Sequence, residues 1–352
     1  MFTSLMPRQV VRLVLVGGLM LSVSAMLVRA QPTPDVRQRF LTEAPEQWRA
    51  VEQFAAKVQG RVTVSVTVQI PQRKINDTDT IRYSVRQNGR CAMLRGSPVQ
   101  TRRNDPVEYV FFSNTQYAAQ LRRDPGKSGE FMLKSYDPNP DAQLLPAPSS
   151  IRRWAFVTLF PHFCYHDEPL AEVIHQPGFR LENVTLDERG LVRAKVRYER
   201  SIPNGTGKMI AETIFTFDPQ RYWCIREYQE ESTYKVKSEN TTSQYVVEFV
   251  LEDHSSGFPL VRRQDARSTA TSTSSGGSDN RRRVEYELQI DDSVPDSEFT
   301  MSAFGLPEPV GVVWERRTPV YVWLLVAAGA LLTLGVFFRW LARRLRRGHS
   351  EG

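Results

Sequence analysis

RVTVSVTVQI, residues 61–70, sets valines at 62, 64, 66 and 68 and an isoleucine at 70 on every second position, with polar residues between them. Successive side chains of a strand point to opposite faces, so this period of two makes one apolar face and one hydrophilic face, the pattern of a half-buried β-strand. The preceding segment has a different period. Phe40, Leu41, Trp48, Val51, Phe54, Ala55 and Val58 fall at mostly helical spacing over residues 40–58, and Gly60 stands where a helix would stop. Pro45 suits a first helical turn, which would move the start toward Ala44. One amphipathic helix followed by a strand is therefore expected to open the folded domain.

Strand-like stretches follow at 80–87, 107–112, 115–121 and 130–136, separated by Asn88-Gly89, Asn104-Asp105-Pro106 and Asp124-Pro125-Gly126. These turn residues favour antiparallel hairpins. Residues 151–160, IRRWAFVTLF, follow a Pro-rich loop and precede Pro161; they fit a short helix, with a strand as the alternative. Further strands are expected at 179–186, 192–200, 209–218, 222–230, 244–251 and 284–290, with turns at Glu188-Arg189-Gly190, Asn204-Gly205 and Asp218-Pro219. Spacing this regular leaves little room for βαβ crossovers, so the class is mainly β within α+β. Residues 267–280 include STATSTSSGGSDN, whose small polar side chains bury too little apolar surface to offset the entropy of ordering them. A flexible hairpin loop or insertion is expected there, with a domain linker as the alternative.

Both ends obey other rules. Arg8 and Arg12 precede an apolar run over residues 13–28 that ends in Val28-Arg29-Ala30, the layout of a secretory signal (1–30) cleaved after Ala30. An uncleaved anchor is the alternative, because Arg29 adjoins the site. Near the other end, VYVWLLVAAGALLTLGVFF, residues 320–338, carries no charge and at about 1.5 Å per residue is just long enough to span a hydrocarbon core. Arg339, Arg343, Arg344, Arg346 and Arg347 follow it and favour the cytoplasmic side. Trp314, Tyr321, Trp323 and Trp340 suit the two interfaces. The expected organisation is thus a signal peptide, a β-rich exported domain at 31–310, a juxtamembrane linker at 311–319, a transmembrane helix at 320–338 and a basic cytoplasmic tail at 339–352. Three arginines in residues 1–30, with five arginines less Glu351 after residue 338, account for the whole formal charge of +7. The domain between is neutral, which removes the basic face that a nucleic-acid partner would need.

Cys91, Cys164 and Cys224 lie far apart, an odd number compatible with one disulfide and one free thiol, and the sequence does not say which pair would form. The densest chemical cluster is HFCYH: on extended backbone, His162, Cys164 and His166 would share a face as metal ligands. A fourth ligand is not apparent, and ordinary polar packing is the competing explanation. No nucleophile elbow, phosphate-cradling glycine loop or other cofactor motif occurs, so no cofactor and no catalytic residue is expected.

The order of elements resembles the LolA/LolB-like fold: an N-terminal helix, long antiparallel strands, a helical interruption and a second run of strands. The closing VEYELQIDDSVPDSEFTMSAFG resembles that family's last segment through Asp291, Asp292, Val294, Pro295, Phe299, Met301 and Phe304. FDPQRYWCIREYQ resembles a family hairpin through Phe217, Asp218, Tyr222, Trp223 and Ile225. The resemblance implies an incomplete antiparallel β-barrel around a helix, with an apolar concavity that holds the acyl chains of lipoproteins or, in regulatory relatives, senses them and binds a membrane-protein partner. A barrel that fails to close exposes its interior to a flexible chain. Trp154, Phe156, Phe160, Phe215, Phe217, Trp223 and Phe249 are candidates to line such a pocket, or simply to fill the core. The combined expectation is a non-catalytic, membrane-anchored envelope protein that binds or senses a lipid or lipidated ligand. The alternatives are an interaction or scaffold module acting through a sheet edge and a metal-dependent enzyme.

Overall fold

The computed structural model describes residues 35–70, 75–100, 107–124, 129–144, 150–201, 207–236, 239–255, 257–272, 276–312 and 320–348. The expected signal peptide, most of the juxtamembrane linker, the end of the tail, and the turns at 104–106, 125–126 and 204–205 lie outside them. The chain forms two compact units, one up to Leu306 and one from Pro307.

The first unit opens with α1, Val36–Ala55, whose N-cap Asp35 accepts the Arg37 N–H at 3.4 Å. The helix starts earlier than its apolar spacing suggested, and Pro45 lies in its interior rather than its first turn. An interior proline costs about 3 kcal/mol. Burial of Phe40, Trp48 and Val51 on one face returns roughly 1.5–3 kcal/mol each, which decides in favour of the longer helix. Trp48 also donates its Nε1–H to the Trp223 carbonyl at 3.0 Å. Gly60 does not stop the helix but sits within the first strand, where a Cβ would overlap the Glu287 carbonyl oxygen.

Six strands follow as a meander: β1 (Val58–Ile70), β2 (Ile75–Gln87), β3 (Ala92–Gln100), β4 (Glu108–Ser113), β5 (Ala118–Arg123) and β6 (Met132–Asp137). The chain then crosses through α2 (Ile151–Leu159), the short pair β7 (Cys164–Tyr165) and β8 (Glu168–Pro169), and α3 (Leu170–Val173). A second meander comprises β9 (Phe179–Leu186), β10 (Val192–Ser201), β11 (Lys208–Asp218), β12 (Cys224–Val236), β13 (Glu239–Asp253), β14 (Pro259–Ser272) and β15 (Gly276–Ile290). It returns to pair β15 with β1, in antiparallel register from Val58 opposite Ile290 to Gln69 opposite Asp279. The result is one antiparallel sheet of thirteen strands running from β6 to β9. Those two edges are not joined, so among the described residues the sheet is open and no barrel closes.

Burial follows the period of two. In β10, Val192, Ala194, Val196 and Tyr198 point inward while the residues between them face outward. Helices cover this inner face, α2 lying against β1 to β4 and α1 against β9 and α3. After β15 the closing segment packs on the other face of β4. There Phe304 stacks on Phe112 at 5.7 Å, Asn114 Nδ2 donates to the Phe299 carbonyl at 2.8 Å, and the Met301 N–H donates to the Tyr117 hydroxyl at 3.0 Å.

Two expectations require correction, and one open question is answered. β3 and β14 were not anticipated; in β14, PLVRRQDARSTATS carries Gln264 and Ala266 on its inner face and so lacks an apolar alternation. Residues 267–272 and 276–280 are not a loop: Arg267 opposite Arg281 through Ser272 opposite Gly276 continue the β14–β15 ladder. Neighbouring backbone, the Arg267–Asp279 ion pair at 2.9 Å and the β-tolerance of threonine hold this polar ribbon without a core. No disulfide joins the cysteines; all three are free thiols, each buried.

The second unit contains α4, Val320–Gly348, which continues as helix past residue 338 through the arginine cluster. Its side chains are described from 324 to 339, and all of these are exposed. Among the described residues no helix is long and apolar enough to cross a membrane.

Candidate functional site

Val58 and Val62 on β1 are fully buried, but Val64, Val66 and Val68, on the same face, are only half-buried. The apolar alternation therefore outruns the helical cover. Where it does so, a cavity of about 410 Å³ opens between the inner face and the segment that contains α2. α2 is fixed by its Ser150 cap and by buried Ile151, Ala155 and Leu159, an arrangement that leaves Trp154, Val157 and Thr158 toward the cavity. Trp154 meets Phe111 edge-on at 5.0 Å and Tyr83 at 6.4 Å. Val62, Val64, Phe249 and Val284 complete the apolar lining.

The remaining wall is polar. Tyr83, Tyr228, Tyr245 and Tyr286 face the cavity with Gln264 and Arg282, and Tyr286 donates its hydroxyl to Gln264 Oε1 at 3.1 Å. Burial pushes all four phenols above their ordinary range, with the Arg282 charge opposing the shift at Tyr83, Tyr245 and Tyr286. They are hydrogen-bond donors at neutral pH. One corner is the two-residue turn between β7 and β8, where His166 and Asp167 both adopt positive φ, at 50° and 60°. Such turns favour Asn-Gly, so the conformation is held from outside. His166 Nε2 lies 3.1 Å from Glu230 Oε2, and buried Glu230 accepts the Tyr165 hydroxyl at 2.9 Å, which is in turn 2.6 Å from Thr213 Oγ1.

Of the seven aromatic candidates, Trp154 and Phe249 line this cavity. Phe156 faces a second concavity of about 370 Å³, bordered by Glu52, Cys91, Arg153 and Glu172. Phe160, Phe215, Phe217 and Trp223 are fully buried, the last three in one aromatic cluster: Phe217 is 5.2 Å and Trp223 5.7 Å from Phe40, and Phe215 is 5.4 Å from Phe217. The tyrosines and Arg282 were not singled out in the sequence. Their signal was the inward alternation Arg282-Val284-Tyr286, readable only once Val284 is known to face the core.

HFCYH does not share one face. Pro161–Phe163 form a 3₁₀ turn, which rotates His162 into the interior while Cys164 and His166 border the cavity. His162 donates from Nε2 to the Pro259 carbonyl at 3.1 Å, and burial lowers its pKa to about 3. Cys164 Sγ donates to the Phe160 carbonyl at 3.3 Å, with its thiol pushed up by burial. Among the described residues no group of three or more His, Cys, Asp or Glu is arranged to hold a metal.

No family model matches the sequence, and no curated protein does. Solved structures do match. A DUF1329 family protein from Desulfovibrio piger is 10% identical, covers 74% of this chain and 97% of its own, and has a TM-score of 0.39. A LolA superfamily protein from Nitrosomonas europaea is 9% identical over 74% of this chain and 99% of its own, with a TM-score of 0.35. A chain of the Pseudomonas aeruginosa MucA/MucB complex is 10% identical over 71% of this chain and 99% of its own, with a TM-score of 0.20. The solved structures that this chain is similar to thus include LolA superfamily and DUF1329 family proteins.

Proposed function

We propose that this chain is an exported, membrane-anchored protein whose incomplete barrel binds one acyl chain of a lipid or lipidated ligand, without catalysing a reaction on it. The carrying observation is the cavity between α2 and the inner face of an open sheet. Its volume of about 410 Å³ lies in the ordinary ligand range of ~300–1,000 Å³. At about 30 Å³ for each water-sized group it holds on the order of a dozen methylenes, which suits one acyl chain and not three. Trp154, Val157, Phe249 and the β1 valines supply an apolar wall. Cys164, His166 and Asp167 also border the cavity, but burial and the bond to the Phe160 carbonyl keep the Cys164 thiol protonated, and among the described residues no three such groups are arranged to hold a metal.

The signal pattern at 1–30, the uncharged stretch at 320–338 and the arginines after it support the reading of a β-rich domain outside the cytoplasm on a single-pass anchor. A fixed receptor or sensor fits that topology better than a soluble carrier. Native mass spectrometry of the full chain, released from membranes, tests the ligand: wild type retains single-chain lipid mass, and Val64→Trp, which fills the cavity, loses it. Equal retention by both would sink the assignment to this cavity.

A further inference from the structure

We infer that the cavity selects an anionic single-chain amphiphile, its carboxylate or phosphate held at Arg282 and its chain running inward along Trp154 and Phe249. The inference rests on the acyl-binding reading above and adds the chemistry of the ligand's head.

Arg282 lies on β15, opposite Val66 of β1 and Ala266 of β14, on the same face as Val284 and Tyr286. It therefore belongs to the cavity's inner face, yet its own side chain is exposed, at the end where cover is lost. Among the described residues no carboxylate lies within ion-pairing distance of it. Its neighbours Arg281 and Arg283 point to the outer face and are matched by Asp279 at 3.9 Å and Asp265 at 2.8 Å. The contrast sets Arg282 apart: the inward guanidinium of three consecutive arginines is the unmatched one.

Three phenols that border the cavity, Tyr83, Tyr245 and Tyr286, lie close enough for the Arg282 charge to act on their titration. Tyr83 and Tyr245 add donors around the same place, the Tyr286 hydroxyl being committed to Gln264. A guanidinium presents five N–H groups and no acceptor, a fork that matches carboxylate or phosphate oxygens. Two carboxylates oppose an anion: Asp167, on the turn that also carries His166, and Asp79 of β2, which shares the inner face with Arg282 across Val66. Asp167 makes no ion pair with Arg282, although the charges of both reach Tyr245. Apolar wall and cation thus occupy different parts of one volume, the arrangement an amphiphile fills and a plain hydrocarbon leaves half used.

The test uses the full chain in nanodiscs of zwitterionic lipid with three photoactivatable probes of equal chain length: palmitate, hexadecyl phosphate and hexadecanol, the acid ionised at mildly alkaline pH. Labelled peptides are mapped by mass spectrometry. Palmitate, the phosphate, or both should label the peptides bearing Trp154 and Phe249 about tenfold more than the alcohol, as one charge-assisted contact requires. Which of the two anions labels more identifies the head. Arg282→Gln should bring the anions down to the alcohol's level, while Asp167→Asn, whose residue tolerates positive φ, should keep or raise the preference. Equal labelling by anions and alcohol in the wild type overturns the inference and leaves acyl binding standing. Absence of cavity labelling by all three overturns both.

Discussion

Tyr165→Phe tests the polar cluster that holds the cavity's corner turn. In the native protein the Tyr165 hydroxyl donates to Glu230 at 2.9 Å and lies 2.6 Å from Thr213 Oγ1, all three side chains being buried. With one proton on the phenol, Thr213 donates to Tyr165 and Tyr165 to Glu230. Removing the oxygen strands a buried hydroxyl and takes a donor from a buried carboxyl group. A bond to a charged group is worth about 1.5–3 kcal/mol and a neutral one about 1, so the loss is roughly 2–4 kcal/mol. At about 2–4 °C per kcal/mol for a domain of this size, Tm should fall by roughly 5–15 °C. Thermal unfolding of the full chain by near-UV circular dichroism reads this directly. Tyr136→Phe, on the edge strand β6, is the control and should shift Tm by less than about 1 °C. If Tyr165→Phe matches that control, Glu230 does not depend on the phenol and the account of the turn fails.

Gly60→Ala should destabilise by about 2 kcal/mol or more, because its Cβ would overlap the Glu287 carbonyl oxygen and part β1 from β15; a urea midpoint equal to wild type would refute the close approach. All three cysteines should be inert to a thiol reagent at neutral pH and react only on unfolding, Cys91 with its pKa pushed up to about 11 by burial; fast labelling of any one in the folded chain contradicts its placement. His162 is held neutral, with its pKa lowered to about 3 from an ordinary 6.5. The unfolded chain then binds the extra proton between those values, so stability is retained above about pH 6.5 and falls by up to about 1.4 kcal/mol per unit as pH drops toward 3. Chemical denaturation at several pH values should show that slope reduced in His162→Gln, and an unchanged slope would refute it.

The strands that carry one clean apolar face were legible: in β10 burial and alternation agree from Val192 to Tyr198, and in β1 the valine alternation marks the strand even where burial gives out beyond Val62. β14 was not, because its inner residues opposite the cavity are Gln264 and Ala266, and a strand that lines a polar wall loses the period that would reveal it. The ribbon of residues 267–272 and 276–280 was missed for a related reason. Its order comes from paired backbone and ion pairs across the hairpin, neither of which is visible in the composition of one strand. At the site, Trp154 and Phe249 could be chosen as large aromatics, but nothing local separated them from Phe215 or Trp223, which fill the core. That distinction depends on how far α2 and α1 reach across the sheet. HFCYH illustrates the converse: a spacing argument valid for extended backbone gave way to the turn that Pro161 begins.

The central claim is that an acyl chain occupies the space between α2 and the inner face. A crystal structure of the full chain incubated with a hexadecanoate brominated along its chain locates that chain by the anomalous signal of the bromine. The peak is expected inside the cavity, between Trp154 and Phe249. A peak confined to the surface of the helix at 320–338, with ordered water in the cavity, would contradict it.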